Sequence, residues 1–213
     1  MKSILVPTDF SKCAANALHY AFALARDAGA TITVLHVVYP NEGVDNNIYN
    51  AFWTDDYMAE RVKGLMNWVR RFQRDASLKN VSVETTCSIG FPVPSICETA
   101  DKINADLIVM GTTGATGLKG AFLGSIAAGV LAQTRRPLLS VPKQALASNS
   151  TKDVVFATDF RFKLQEQSLA ILQEYIRLEK GKLHFVHIID KVYQTGRKVA
   201  ADAPQGFDQV TAH

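Results

Sequence analysis

The chain has 213 residues, enough for one domain and part of a second at about 100–200 residues per domain. Apolar residues make up 47% and charged residues 20%, which excludes wholesale disorder. A net charge of +3, from 23 basic and 20 acidic side chains, is too small to indicate nucleic acid or an anionic membrane surface.

The opening Ser-Ile-Leu-Val-Pro of residues 3–7 is a short apolar run that ends in polar Thr8-Asp9. It reads as a buried strand with its C-terminal end at Asp9, and it stops too soon for a signal-peptide core. No apolar run reaches the length of about 18 residues that marks a transmembrane helix. Over 12–27, Ala14, Ala17, Leu18, Ala21, Phe22 and Ala25 recur at helical spacing, with Ser11 placed to cap the start and Gly29 to end the last turn. Residues 31–38, Thr-Ile-Thr-Val-Leu-His-Val-Val, are β-branched and apolar, a second buried strand. Residues 41–58 are polar with scattered aromatics and read as an excursion or lid. A helix over 59–75 follows, with Val62, Leu65, Met66, Val69 and Phe72 on one face. Its Arg61, Lys63, Arg70, Arg71 and Arg74 read as a solvated face rather than a docking surface.

Residues 81–88 form the third strand, and Pro92 and Pro94 suit the first turn of a helix running to about Asn104. Its inward face is Val93, Ile96, Ala100 and Ile103. Asp106-Leu-Ile-Val-Met110 is the fourth strand, 125–135 a helix stopped by Pro137, and Leu138-Leu-Ser-Val141 the fifth strand. Strands alternating with helices predict a doubly wound α/β fold, a parallel sheet covered on both faces.

The stretch after the fourth strand carries the chemistry. It runs Gly111-Thr-Thr-Gly114-Ala-Thr-Gly-Leu-Lys119-Gly-Ala-Phe-Leu-Gly124-Ser125. Glycine lets a backbone approach phosphate oxygens, a helix start presents unpaired N–H groups, and Ser125 adds a hydroxyl. These are the parts of a cradle for a di- or triphosphate. A Walker loop does not fit, since Lys119 is followed by Gly120, and a dinucleotide fingerprint belongs after the first strand. If the strand order reverses between strands one and four, Asp9 and Gly111 border one crevice. A carboxylate there accepts hydrogen bonds from a ribose or from an adenine amino group.

Gly111-x₂-Gly114-x₉-Gly124-Ser125 resembles the nucleotide-binding pattern of universal stress proteins. The opening Ile-Leu-Val-Pro-Thr-Asp9, the His36-Val37-Val38 strand end and Gly90-x-Pro92 resemble the same family. The resemblance implies strand order 3-2-1-4-5, the adenine nucleotide alpha hydrolase-like arrangement, and an ATP site, with Mg²⁺ as an open companion. Carried over, Pro7, Thr8 and Asp9 would line the adenosine pocket. Val38 or its neighbour Val37 would meet the adenine through its backbone. Met110 and Gly111 would flank the ribose, and Gly114, Gly124 and Ser125 would hold the phosphates with Ile126 beside them. Some ATP-binding members carry a second hydroxyl where this chain has Ala127, a loss that would weaken the phosphate grip.

At an offset of 150 the start recurs: Lys152-Asp-Val-Val-Phe-Ala-Thr-Asp159-Phe160 answers Lys2 to Phe10, and Phe185-Val-His187 answers Val34-Leu-His36 one residue later. The expected organisation is a first module over 1–142, a linker over 143–150 and an incomplete second module over 151–213, as in tandem members of the family. The second copy keeps Asp159 but has no glycine motif, so no second ATP site is expected. Residues 190–213 have no clear period and are expected to be irregular or a short helix.

His36 and His187 read as packed strand residues, Lys119 as a loop lysine, and the three cysteines Cys13, Cys87 and Cys97, which lack C-x-x-C spacing, as packing groups. Free thiols and the lack of a leader suggest the cytoplasm. With no general base aimed at a γ-phosphate, the expected role is a non-enzymatic, nucleotide-responsive stress or signalling factor, slow hydrolysis being compatible. Its rival is a nucleotide-independent dimerising module of the same fold. In either case the fifth strand is an edge, which predicts a homodimer through 138–142. A third reading, an adenylyl-transfer enzyme, is disfavoured because Pro7-Thr-Asp-Phe-Ser11 lacks the histidine motif such enzymes carry beside the first strand.

Overall fold

The computed structural model describes residues 1–39, 53–75, 78–113, 123–145, 153–157, 166–179 and 181–186. The chain divides into two compact units, Met1–Ser148 and Asn149–His213.

In the first unit, β1 (Ser3–Thr8), β2 (Thr31–Val38), β3 (Val83–Ile89), β4 (Leu107–Gly111) and β5 (Leu138–Val141) form one parallel sheet in the order β3-β2-β1-β4-β5. The predicted doubly wound sheet and its strand order are what the structure has. Five of the six residues of β1 are buried, as its unbroken apolar run requires of a central strand with helices on both faces. α1 (Lys12–Ala28) begins where Ser11 accepts a hydrogen bond from the Ala14 N–H at 3.1 Å. It ends at Gly29, whose φ of 67° is left-handed and unfavourable for any residue with a Cβ.

α3 (Pro92–Lys102) and α4 (Ser125–Gln133) pack together over Leu5, Leu35, Ile108 and Met110. Arg136 locks the C-terminal end of α3 to the approach of β5. It donates to Asp101 at 2.9 Å, to the Asn104 side chain at 3.2 Å and to the Ala105 carbonyl at 3.4 Å.

Two expectations need correction. α2 spans Trp53–Phe72, so it begins inside the segment read as an excursion; of that segment, 41–52 lies outside the described residues. Asp56 suits the early start, since an acid near the first turn complements the positive end of a helix. Met66 is exposed instead of buried, and Trp68, on the other margin of the face, is half-buried with its ring edge-on to Phe72 at 4.9 Å. Smaller shifts fall at element ends: β3 starts at Val83, and α3 and α4 stop two residues early, at Lys102 and Gln133.

The segment after β5 is held against the first unit. The Asn16 side chain donates to the carbonyls of Pro142 at 2.9 Å and Ala145 at 2.7 Å, so the opening residues of the expected linker are docked.

In the second unit, β6 (Asp153–Ala157) and β7 (Lys182–Val186) pair in parallel, with α5 (Glu166–Glu179) between them in the chain. Their pairing runs from Asp153↔Lys182 to Ala157↔Val186, and that of β1 and β2 from Ser3↔Thr31 to Pro7↔Leu35. These are the same five pairings at offsets of 150 and 151. One difference stands out: Val155 is 63% exposed, whereas its counterpart Leu5 is fully buried under α3 and α4. Residues 187–213, including the region expected to be irregular, lie outside the described residues. Among the described residues no helix is long and apolar enough to cross a membrane.

Candidate functional site

The strand order reverses between β1 and β4, which are direct neighbours through Ile4↔Leu107 and Leu5↔Ile108. From β1 the chain passes into α1, and from β4 into α4, which packs on α3. The C-terminal ends of β1, β2 and β4 therefore lie with the start of α4 at one end of the sheet, the end at which open α/β sheets form a crevice where the order reverses.

At the end of β1, Pro7 and Thr8 are buried and Asp9 is exposed. The Thr8 hydroxyl accepts the Phe10 N–H at 3.0 Å, and one Asp9 carboxylate oxygen accepts the Ser11 N–H at 3.0 Å. Ser11, not Asp9, is the helix cap, and the Asp9–Ser11 bond closes a local turn at the end of the strand.

At the end of β2 the two backbone candidates differ. The Val38 carbonyl accepts the Gly90 N–H at 3.0 Å, so it points toward β3. Successive residues of a strand present their polar groups to opposite neighbours. The Val37 carbonyl is thus turned to the β1 side, just past the last β1 pairing, Thr8↔His36.

At the end of β4, the Met110 side chain is core, clustered with Leu5, Ile108 and Ala127. Gly111 touches α1 closely: a Cβ there would lie 2.8 Å from the Cys13 sulfur and 3.0 and 3.1 Å from its backbone C and O. Packing thus already requires a glycine at 111. The Cys13 thiol in turn reaches the Val141 carbonyl at 3.6 Å, and the Thr112 N–H donates to the same oxygen at 3.1 Å. Neither Cys13 nor Thr112 is singled out by the glycine spacing; only their position beside Gly111 and on the first turn of α1 hints at them.

The two ends of the glycine-rich stretch meet where the Gly124 N–H donates to the Thr112 carbonyl at 2.6 Å. Gly124 is the N-cap of α4, with no side-chain cap, and its carbonyl accepts the first helical bond, from Ala128. The donors that α4 offers are therefore the N–H groups of Ser125, Ile126 and Ala127, not that of Gly124. The Ser125 side chain is exposed, and Ile126 packs partly against the core. Gly114 and Lys119 lie outside the described residues.

Burial pushes the thiols of Cys87 and Cys97 up from their ordinary value, and Asp101 and Glu98 raise Cys97 further. Both are thus poor thiolates at neutral pH, consistent with packing roles. Among the described residues no group of three or more His, Cys, Asp or Glu is placed to hold a metal ion.

A family model described as the universal stress protein family matches residues 1–142. The universal stress protein MJ0531 of Methanocaldococcus jannaschii is 32% identical over 149 residues, covering 67% of this chain and 82% of that protein. A universal stress protein structure from Archaeoglobus fulgidus is 24% identical with a TM-score of 0.66, covering 91% of this chain and 69% of that one. A universal stress protein solved in complex with cAMP is 22% identical with a TM-score of 0.50, covering 67% of this chain and 97% of that one. The last two are likenesses of fold.

Proposed function

The chain belongs to the universal stress protein family, and on that premise we propose that its first unit binds one adenine nucleotide, with ATP the expected ligand. The observation that carries this reading is the start of α4. Three backbone N–H groups and the Ser125 hydroxyl stand there without a side-chain cap, at the sheet end that also holds Asp9. Phosphates would sit on Ser125, Ile126 and Ala127, with Gly124 closing the loop behind them and Gly114 contributing as the family pattern implies. Asp9 would accept from the ribose or the base, Met110 and Gly111 would offer backbone beside the ribose, and Pro7 and Thr8 would form the floor. Of the two valines, Val37 is the better partner for an adenine amino group, because the Val38 carbonyl is engaged with Gly90. A protein of this fold holds cAMP, which makes adenine nucleotides the ligand class to try first.

In this reading Mg²⁺ arrives with the phosphates, and the nucleotide biases conformation or assembly of a cytoplasmic factor rather than being turned over. The second unit repeats the opening strand–helix–strand of the module, supported by the identical β6–β7 pairing, and the nucleotide is assigned to the first unit. Calorimetric titration of Mg²⁺-ATP into nucleotide-free protein should give one site per chain with the ATP intact afterwards. No heat up to millimolar ATP would return the nucleotide-independent module as the better reading.

Assembly rests on a separate observation: among the described residues β5 pairs only with β4 and forms one edge of the sheet. We place a homodimer contact at 138–142, where an edge invites pairing with another chain. Light scattering should give the mass of two chains at micromolar concentration; a monomer there would remove the contact.

A further inference from the structure

Resting on the nucleotide reading, we infer that His36 is a positioning residue for Asp9: it sets the carboxylate of the site without touching the ligand. His36 is buried on β2, in register with Thr8 on β1. Its Nδ1 lies 2.9 Å from the Thr8 carbonyl oxygen. A carbonyl only accepts, so Nδ1 carries the proton and donates it. The Thr8 carbonyl and the Asp9 N–H belong to one planar peptide unit. Fixing that carbonyl therefore fixes the plane from which Asp9 leaves the strand.

The same ring also holds the residue after Asp9. Phe10 lies over His36 at 4.6 Å between ring centroids and meets Trp68 edge-on at 5.4 Å. Phe10 has φ of 61°, a conformation a bulky residue adopts only when its surroundings impose it. The imposing contacts are the ring packing against His36 and Trp68 and the Phe10 N–H bond to the Thr8 hydroxyl at 3.0 Å. Asp9 is thus gripped on both sides by groups that lead back to one imidazole, while its own Oδ1 is held by the Ser11 N–H. A histidine kept only for packing would need neither the donor on Nδ1 nor its alignment with the strand end.

His36→Phe keeps a ring of similar size and removes the donor, and His36→Asn restores an N–H near the Nδ1 position. In nucleotide-free protein, exchange of the Phe10 and Ser11 amide protons should accelerate about tenfold in His36→Phe and stay near wild type in His36→Asn. In binding, Asp9→Asn should erase discrimination of ATP against either 2′-deoxy-ATP or ITP, by about tenfold for one lost charged hydrogen bond. His36→Phe should erase the same discrimination, His36→Asn should retain it, and the affinity for inorganic tripolyphosphate should stay within about twofold throughout. Unchanged exchange, or discrimination kept in His36→Phe, overturns the inference. Should His36→Phe fail to fold, the wild-type imidazole ¹⁵N spectrum decides, since an Nε2–H tautomer contradicts the donor role. Failure of the wild type to bind any nucleotide would sink the ligand reading alone, because the amide exchange and the tautomer still test His36.

Discussion

Replacing Gly124 with Asp is expected to abolish nucleotide binding while leaving the first unit at least as stable as before. The two effects separate because Gly124 is the N-cap of α4, at a φ of −68° that any residue adopts. Asp is among the best N-cap residues: its carboxylate accepts from the second or third helical N–H and complements the helix dipole. In α4 those are the N–H groups of Ile126 and Ala127, the donors assigned to the phosphates. The substitution thus takes the donors away from the ligand and sets a negative charge where a phosphate would sit. Two charge-assisted hydrogen bonds at roughly 1.5–3 kcal/mol each correspond to a loss of about 100-fold or more. The gain in capping over Gly is only a few tenths of a kcal/mol, so the melting temperature should hold or rise slightly. Calorimetry beside thermal melting measures both. Undiminished ATP binding would show that the ligand does not use the start of α4. Lost binding with a collapsed melting temperature would instead mean that Gly124 is needed for the loop closure onto Thr112.

The divide between what the residues disclosed and what they hid follows the range of the interactions. Ser11 and Gly29 bracket α1 where the local signals place them, because capping involves neighbours in the chain. The strand order came with the family resemblance and the alternation of elements, and the pairing confirms it. Met66 and Trp68 lie two residues apart, on opposite margins of the α2 face, and helical spacing alone does not say which margin is covered; the tertiary partners Phe10 and Phe72 cover Trp68, and Met66 stays exposed. In the site, the glycine motif announced a cradle but not the assignment of its donors. The Gly124 N–H is committed to Thr112, and the Val38 carbonyl to Gly90. Neither bond has a signature in the spacing, since each joins residues far apart in the chain. His36 was legible as a buried strand histidine, but its bond to Thr8 crosses from one strand to its neighbour and emerges only with the pairing register.

Gly111→Ala should be the most destabilising single-atom addition at the crevice, and it separates two reasons for a glycine there. One reason is access, a backbone bare enough for phosphate or ribose to approach. The other is packing, and its distances are specific: the added Cβ would meet the Cys13 sulfur at 2.8 Å and the Cys13 backbone at 3.0 and 3.1 Å. A thiol can rotate away, but the backbone of the first turn of α1 cannot, so helix and sheet must move apart. Overpacking of this kind costs about 1–3 kcal/mol, or roughly 4–8 °C for a unit of this size at the middle of that range. Both tryptophans, Trp53 and Trp68, lie in the first unit, so their fluorescence follows its unfolding without contribution from the second. Adding Cys13→Ala removes the sulfur contact and leaves the backbone contacts, so the double variant should recover less than half of the loss, as expected when two contacts share one site. Below its melting transition the folded Gly111→Ala protein should bind ATP within about threefold of wild type, because the clash is directed at α1 and leaves the donors of α4 in place. A stable Gly111→Ala protein that fails to bind would reverse the assignment, making access to the ligand the reason for the glycine.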